Sequence, residues 1–172
     1  IEELTKAGLK EARAIDEITD MEIINEFNDL FYPKIIEKNI QLIFDNEINS
    51  KYEFFLDEVR IKQILYNLIG NAIKFTEEGY VKISTEIYFE MENWTASINI
   101  RISDTGIGIP MEQKEKIFES FTQQDGQDNR KYGGTGLGLT ISKKLTQLFG
   151  GDLILENSNE FGSTFMMSLP CI

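Results

Sequence analysis

The stretch Tyr132-Gly133-Gly134-Thr135-Gly136-Leu137-Gly138-Leu139 puts four glycines into six residues, immediately ahead of an apolar-periodic run that begins at Thr140. Each glycine in a helix interior costs about 1 kcal/mol relative to alanine, so four in a packed element would forfeit roughly 3 to 4 kcal/mol. The run therefore belongs to a loop whose backbone has to stay bare. Glycines just ahead of a helix leave N–H groups at the positive end of the helix dipole, which suits phosphate oxygens. Two readings stand on this stretch alone, a nucleotide phosphate loop and a flexible surface loop.

The chain has 172 residues, of which 41% are hydrophobic, enough for one domain with a substantial core. Its 29 acidic residues against 17 basic ones give a net charge of -12, which disfavours nucleic acid and anionic membranes as partners. The same field repels a triphosphate. A bound nucleotide then needs a divalent cation and local cations, for which Lys74, Arg130 and Lys131 are the candidates. Histidine is absent, which removes a histidine base, metal ligand or phosphoacceptor from this chain. Cys171 is the only cysteine, so no internal disulfide forms and a reducing compartment is expected. No apolar run approaches the roughly 18 residues of a membrane span. Glu2 and Glu3 stand where a signal peptide carries cations, so a soluble, cytoplasmic stretch is expected.

Residues 1–10 look like the tail of a preceding helix or a linker. A first strand is expected over Ala14 to Ile18, then a helix over Met21 to Glu37 capped by Asp20, in which Pro33 implies a kink or an earlier end. Gln41 to Glu47 and Glu53 to Leu56 alternate as short strands around an Asn49-Ser50-Lys51 turn. Glu58 to Phe75 is the strongest helix: Ile61, Ile64, Leu65, Leu68, Ala72 and Phe75 form an apolar arc, and Arg60, Gln63, Asn67, Asn71 and Lys74 gather beside it. A long hairpin follows, with Val81 to Phe89 going out and Ile98 to Ile102 returning into Asp104. A short helix to about Phe118, a polar Thr122 to Arg130 segment expected to be mobile, and a helix over Thr140 to Phe149 come next. Leu153 to Leu155 and Phe165 to Leu169 close the pattern around an Asn157 to Gly162 turn, and Pro170 ends it. The expected fold is an α/β two-layer sandwich: a mixed, mostly antiparallel sheet of about five strands with about three helices on one face.

Asparagine is a mediocre helix former, yet Asn67 and Asn71 lie four apart on the face that carries Lys74. An amide oxygen can serve Mg2+ as a neutral hard ligand, and Lys74 can reach phosphate as a point charge; the plain alternative is a solvated polar face. None of Gln63, Asn67 or Asn71 is a good base, so a nucleotide held here meets little activation of water. Asp104 enters a glycine turn from a strand, where its carboxylate can accept from an exocyclic amine such as that of adenine, or can serve the turn alone. Gly106 and Gly108 let backbone approach a base or sugar, or make a tight turn. Phe118 and Phe121 bracket the polar segment as tethers of a lid or as core residues. Thr135 and the N–H groups of Gly134, Gly136 and Gly138 are the phosphate candidates.

Gln63 to Thr76 (QILYNLIGNAIKFT), Asp104 to Pro110 (DTGIGIP), Phe118 to Gln123 (FESFTQ) and Gly133 to Ser142 (GGTGLGLTIS) resemble, in order and spacing, the N, G1, F and G2 boxes of sensor histidine kinases. The resemblance runs from about residue 14 to 170 and includes Phe161-Gly162-Ser163-Thr164-Phe165. It implies a catalytic and ATP-binding domain over 11–172, with the sandwich shared with gyrase, heat-shock chaperone and mismatch-repair ATPases. By box position Asn71 would bind Mg2+, Asn67 and Lys74 would serve catalysis and phosphate, Phe75 would lie beside adenine, and Asp104 would accept from its amine. Ile109, Phe121, Leu137 and Thr164 would join the ATP site, with residues 122–134 as its lid. Asn67 stands where the related ATPases carry a glutamate base.

The resemblance further implies ATP and Mg2+ as cofactors, a histidine-bearing dimerisation domain preceding this one, and a response-regulator receiver domain as the onward partner. The isolated domain is then expected to be a monomer and the longer protein a homodimer, with anchoring in the inner membrane by a preceding part left open. Phosphotransfer from ATP to that external histidine is the function implied. An ATP-gated module without catalysis, or an ATPase of the same fold, are the alternatives. Phe121 to Gly138 is also similar to kinases with a fused receiver domain.

Overall fold

A computed structural model describes residues 12–14, 21–46, 55–90, 95–120 and 136–171. Strand β1 (Ala12–Ala14) pairs antiparallel with β3 (Phe55–Asp57) as a separate two-stranded ribbon. β1 meets the strand expected over Ala14 to Ile18 only at Ala14, and the rest of that stretch lies outside the described residues. Helix α1 (Met21–Lys38), strand β2 (Ile40–Asn46), helix α2 (Glu58–Phe75), strands β4 (Gly79–Glu90) and β5 (Thr95–Asp104), helix α3 (Gly138–Leu148) and strands β6 (Asp152–Asn159) and β7 (Gly162–Cys171) complete it. Among the described residues the main sheet has five strands in the order β2-β4-β5-β7-β6, with β2 parallel to β4 and the other pairs antiparallel. This is the mixed, mostly antiparallel sheet with three helices that the residue pattern implied.

The pleat sorts the sheet into two faces. Val81, Ile83, Ile98, Ile100, Ile102, Leu153, Leu155, Phe165, Met167 and Leu169 point one way and are buried, in one core with Phe27 and Phe31 of α1 and the apolar arc of α2. That arc is wider than expected, since Ile69 and Ile73 are buried as well. The other face carries charge: Arg101 on β5 donates to Glu156 on β6 through Nε (2.8 and 3.1 Å) and to Glu86 on β4, while Lys82 pairs with Asp45 on β2 at 2.5 Å. The site must therefore lie on the helical side or at the ends of the strands.

Several boundaries depart from expectation. α1 runs through Pro33 to Lys38. A proline removes the bond to the carbonyl four residues back, and both Asp29 and Pro33 are exposed, so water can serve that carbonyl instead. β2 and β3 do not form a hairpin with each other; they belong to different sheets. The Lys116–Phe118 stretch is a 3-10 turn rather than part of one helix, preceded by another at Met111–Gln113. α3 begins at Gly138, two residues before Thr140. The β6–β7 turn is tighter than Asn157 to Gly162, because pairing continues to Asn159↔Gly162. β7 keeps Pro170, opposite Ser97; β6 begins only at Asp152↔Ser168, so one flank of the strand is open there.

Candidate functional site

α2 is the spine of the site. Asp57 caps its start by accepting from the Arg60 N–H at 3.1 Å, and its far end meets the turn after β5. At that end the Ile107 N–H donates to the Phe75 carbonyl at 3.4 Å. Gly106 passes so close that a Cβ there would stand 2.5 Å from the same carbonyl oxygen, so this position accepts only glycine. Asp104 Oδ1 receives the N–H groups of Gly106 (2.8 Å) and Ser163 (3.3 Å), while Oδ2 has no hydrogen bond among the described residues. Burial pushes the Asp104 carboxyl above its ordinary range, and the two N–H groups pull the other way. The result is a carboxylate fixed by one oxygen with the other available to a donor. Gly108 and Ile109 continue the turn against the β6–β7 hairpin, where the Ile109 N–H donates to Ser158 Oγ at 2.7 Å.

Near the middle of α2 lies the junction with α3. Asn67 Nδ2 donates to Ser142 Oγ at 2.9 Å, and a Cβ on Gly138 would stand 2.0 Å from Asn67 Oδ1. The glycine run thus ends in glycine because helix α3 begins directly on the Asn67 side chain. Leu137 occupies the N-cap position of α3 without a side-chain cap, and the first helical bond runs from the Ile141 N–H to the Leu137 carbonyl at 2.9 Å. The N–H groups of Gly138, Leu139 and Thr140 precede that bond and lack helical partners, at the positive end of the dipole. Gly136 just before them adopts the left-handed region at φ 67°.

Between Asn67 and the C-terminal end of α2 sits Asn71, half-buried and without a hydrogen bond to any described residue. Asn67 and Phe75 are eight residues apart, about 12 Å along the axis, a span that an extended nucleoside triphosphate bridges. Among the described residues no cluster of His, Cys, Asp and Glu could hold a metal on its own. The Asn71 amide oxygen is a neutral hard donor of the kind a Mg2+ ion accepts when its remaining ligands are water and phosphate. The Lys74 ammonium lies 4.5 Å from the centroid of the Phe75 ring, and burial, then the charge of Lys34, hold its pKa below the ordinary lysine value.

Phe118 sits edge-on to Phe165 (centroids 6.3 Å apart) with the Lys143 ammonium 4.5 Å from its ring centroid. It packs against the core through Phe165 of β7 and meets Lys143 of α3, the core placement that was one of its two readings. Phe121, Arg130, Lys131, Gly134 and Thr135, together with the rest of the expected lid, lie outside the described residues.

Of the described candidates, the structure brings Asn67 and Gly138 together midway along α2, with Leu137 next to Gly138 in the chain, and gathers Phe75, Asp104, Gly106, Gly108 and Ile109 at its C-terminal end. Thr164 stands apart. It pairs with Ser103, whose Oγ is 3.0 Å from its Oγ1, on the sheet face away from the helices. Ser163 takes the place beside Asp104 instead. The signal was in the sequence: Phe165, Met167 and Leu169 alternate inward, so Ser163 shares their face and Thr164 cannot. Ser142 and Ser158 were also missed, since nothing local distinguishes them from other polar residues.

A sequence model of the family described as "Histidine kinase-, DNA gyrase B-, and HSP90-like ATPase" matches residues 56–171. The chain is 38% identical over 143 residues to the autoinducer 2 sensor kinase/phosphatase LuxQ of Vibrio harveyi, an alignment covering 82% of this chain and 16% of LuxQ. The chain therefore spans about a sixth of that relative. The nucleotide-free catalytic domain of histidine kinase ThkA is 37% identical with a TM-score of 0.69, covering 87% of this chain and 92% of that one. ThkA solved in complex with response regulator protein TrrA is 35% identical with a TM-score of 0.66, covering 88% and 40%. Full-length ShkA in complex with AMPPNP is 28% identical with a TM-score of 0.71, covering 86% and 29%. The family match spans most of the chain and its structural neighbours are histidine kinases, so the chain belongs to the histidine kinase-, DNA gyrase B- and HSP90-like ATPase family, as a catalytic domain of the histidine kinase kind.

Proposed function

We propose that this domain binds ATP with Mg2+ along α2 and presents the γ-phosphoryl group to a histidine on a separate dimerisation domain. The observation that carries the reading is the convergence on one helix of a half-free buried carboxylate, Asp104, and an uncapped helix start at Gly138. The adenine amine would donate to Asp104 Oδ2, and phosphate oxygens would accept from the N–H groups at the start of α3. Mg2+, when bound through Asn71 and the phosphates, supplies charge neutralisation for a transfer that is mostly positioning. Asn67 is held by Ser142 and carries no basic atom, so it orients the junction without deprotonating water. An ATPase reading is disfavoured for that reason.

In the transfer itself the acceptor imidazole nitrogen attacks the γ-phosphorus, the bond to the β,γ-bridging oxygen breaks, and ADP leaves with the electron pair. This chain has no histidine, so the acceptor comes from elsewhere. AMPPNP in ShkA and the response regulator on ThkA support a nucleotide and a receiver domain as the partners of the longer protein. The test mixes the chain with ATP, Mg2+ and a separate histidine-bearing dimerisation domain. Acid-labile phosphate on that domain is expected; none above background, with the acceptor shown competent by another kinase, would overturn the proposal.

A further inference from the structure

We infer that Lys38, the last residue of α1, is a positioning residue for the nucleotide site. Its Nζ donates to three carbonyls at the end of α2: Ile73 at 3.0 Å, Lys74 at 2.7 Å and Thr76 at 2.9 Å. An ammonium has three protons, and all three are used. The last carbonyls of a helix have no partners within it. Here the Ala72 carbonyl accepts from the Thr76 N–H (3.0 Å) and Thr76 Oγ1 (2.7 Å), Phe75 accepts from Ile107, and Lys38 serves the others. The positive charge also sits at the negative end of the helix dipole, where it is favoured. One side chain on a neighbouring helix thus completes the terminus of α2.

That terminus carries Lys74 and Phe75, and the Phe75 carbonyl locks the turn that follows Asp104 through the Ile107 N–H. With Lys38 gone, three carbonyls lose their donor and the last turn can unwind. Phe75 then shifts, its carbonyl releases Ile107, and Asp104 loses the fixed backbone that aims Oδ2. Lys38 touches neither nucleotide end; it acts through the backbone that both Lys74 and Asp104 depend on. Asn39, directly after it, holds φ 52°, which turns the chain sharply from α1 into β2 and fixes where the lysine stands.

The inference rests on the proposed ATP site, and the experiment separates the two. Lys38→Met keeps length and apolar bulk but removes charge and donors, and Lys38→Arg restores both. Binding of ATP with Mg2+ is measured by titration calorimetry well below the melting temperature. Amide exchange at Ile107 is followed against Ile102 in β5 as the internal reference. Lys38→Met is expected to weaken ATP and ADP alike by about tenfold, or about 1.4 kcal/mol, and to speed Ile107 exchange relative to Ile102, with Lys38→Arg recovering most of both. A residue that serves stability alone would lower the melting temperature and leave affinity and the exchange ratio at wild-type values, and that result overturns the inference. Should wild type bind no nucleotide, the functional reading fails and the Ile107 exchange ratio alone decides the role of Lys38. Should Lys38→Met fail to fold, Lys38→Gln, which keeps one donor amide, is read on the same two measurements with the same criterion.

Discussion

Asp104 is asked to do two things that respond to pH in opposite directions. Its carboxyl is held above the ordinary range by burial, so between the ordinary value and the raised one the folded chain binds more protons than the unfolded chain. Unliganded stability from this group is therefore greatest at low pH and falls as pH rises through that window. The ionised form is the stronger acceptor for the adenine amine of the proposed site and carries no competing O–H donor, so ATP affinity is expected to climb with pH across the same window; calorimetry and thermal melts at matched pH values check the two trends. Asp104→Asn separates the roles. An asparagine Oδ1 still receives Gly106 and Ser163, but Nδ2 opposes a donor with a donor. Nucleotide affinity should drop by roughly 2 to 3 kcal/mol, about 30- to 140-fold, while the unliganded melting temperature holds or rises. A variant that loses stability and keeps affinity would remove Asp104 from the site. An acidic residue ahead of a glycine turn left two readings open in the sequence, turn chemistry and a ligand acceptor, and Asp104 Oδ1 does serve the turn through the Gly106 N–H. Thr164 was misplaced where the strand period, already visible in Phe165, Met167 and Leu169, would have chosen Ser163.

Among the elements, the α2–α3 contact makes a non-additive prediction. Alanine at position 138 gains helix propensity of about 1 kcal/mol over glycine, yet its Cβ lands on Asn67 Oδ1 and forces Asn67 off Ser142. Losing that bond costs on the order of 1 kcal/mol, so Gly138→Ala alone should be near neutral or mildly destabilising in a denaturant titration. In an Asn67→Ala background the obstruction is absent and Gly138→Ala should stabilise, giving a coupling energy of about 0.5 to 2 kcal/mol. Equal effects in the two backgrounds would mean that the helices do not meet as described. The helices themselves were the most legible part of the sequence: α2 spans Glu58–Phe75 as the apolar spacing required. Strand pairing was less so. β2 reaches β4 across the whole of α2, and β3 turns away to β1, because partners are chosen by long-range burial and not by the residues between them. Pro33 left two outcomes open, a kink or an earlier end, and α1 runs on to Lys38, so the earlier end is excluded.

For the whole molecule the net charge of -12 opposes any polyanion, so binding has to be won locally, by α3's N–H groups, the few nearby cations and Mg2+. A ligand that binds only the folded state raises stability by mass action, about 2.7 kcal/mol at one hundred times its dissociation constant. For a domain of this size each kcal/mol moves Tm by roughly 2 to 4 °C, so saturating ATP with Mg2+ should raise it by about 5 to 10 °C. Because the charge field is uncompensated without the metal, the same ATP with excess chelator should give a smaller shift, and Asp104→Asn, weakened as above, should keep only about 0.3 to 0.9 kcal/mol of the stabilisation, roughly 1 to 3 °C, at equal nucleotide concentration. The chain incubated alone with labelled ATP should meanwhile gain no acid-labile phosphate, since it holds no histidine to receive one. Stabilisation without self-labelling is what a donor domain separated from its acceptor must display. A shift that ignored both the chelator and Asp104→Asn would place ATP somewhere other than along α2.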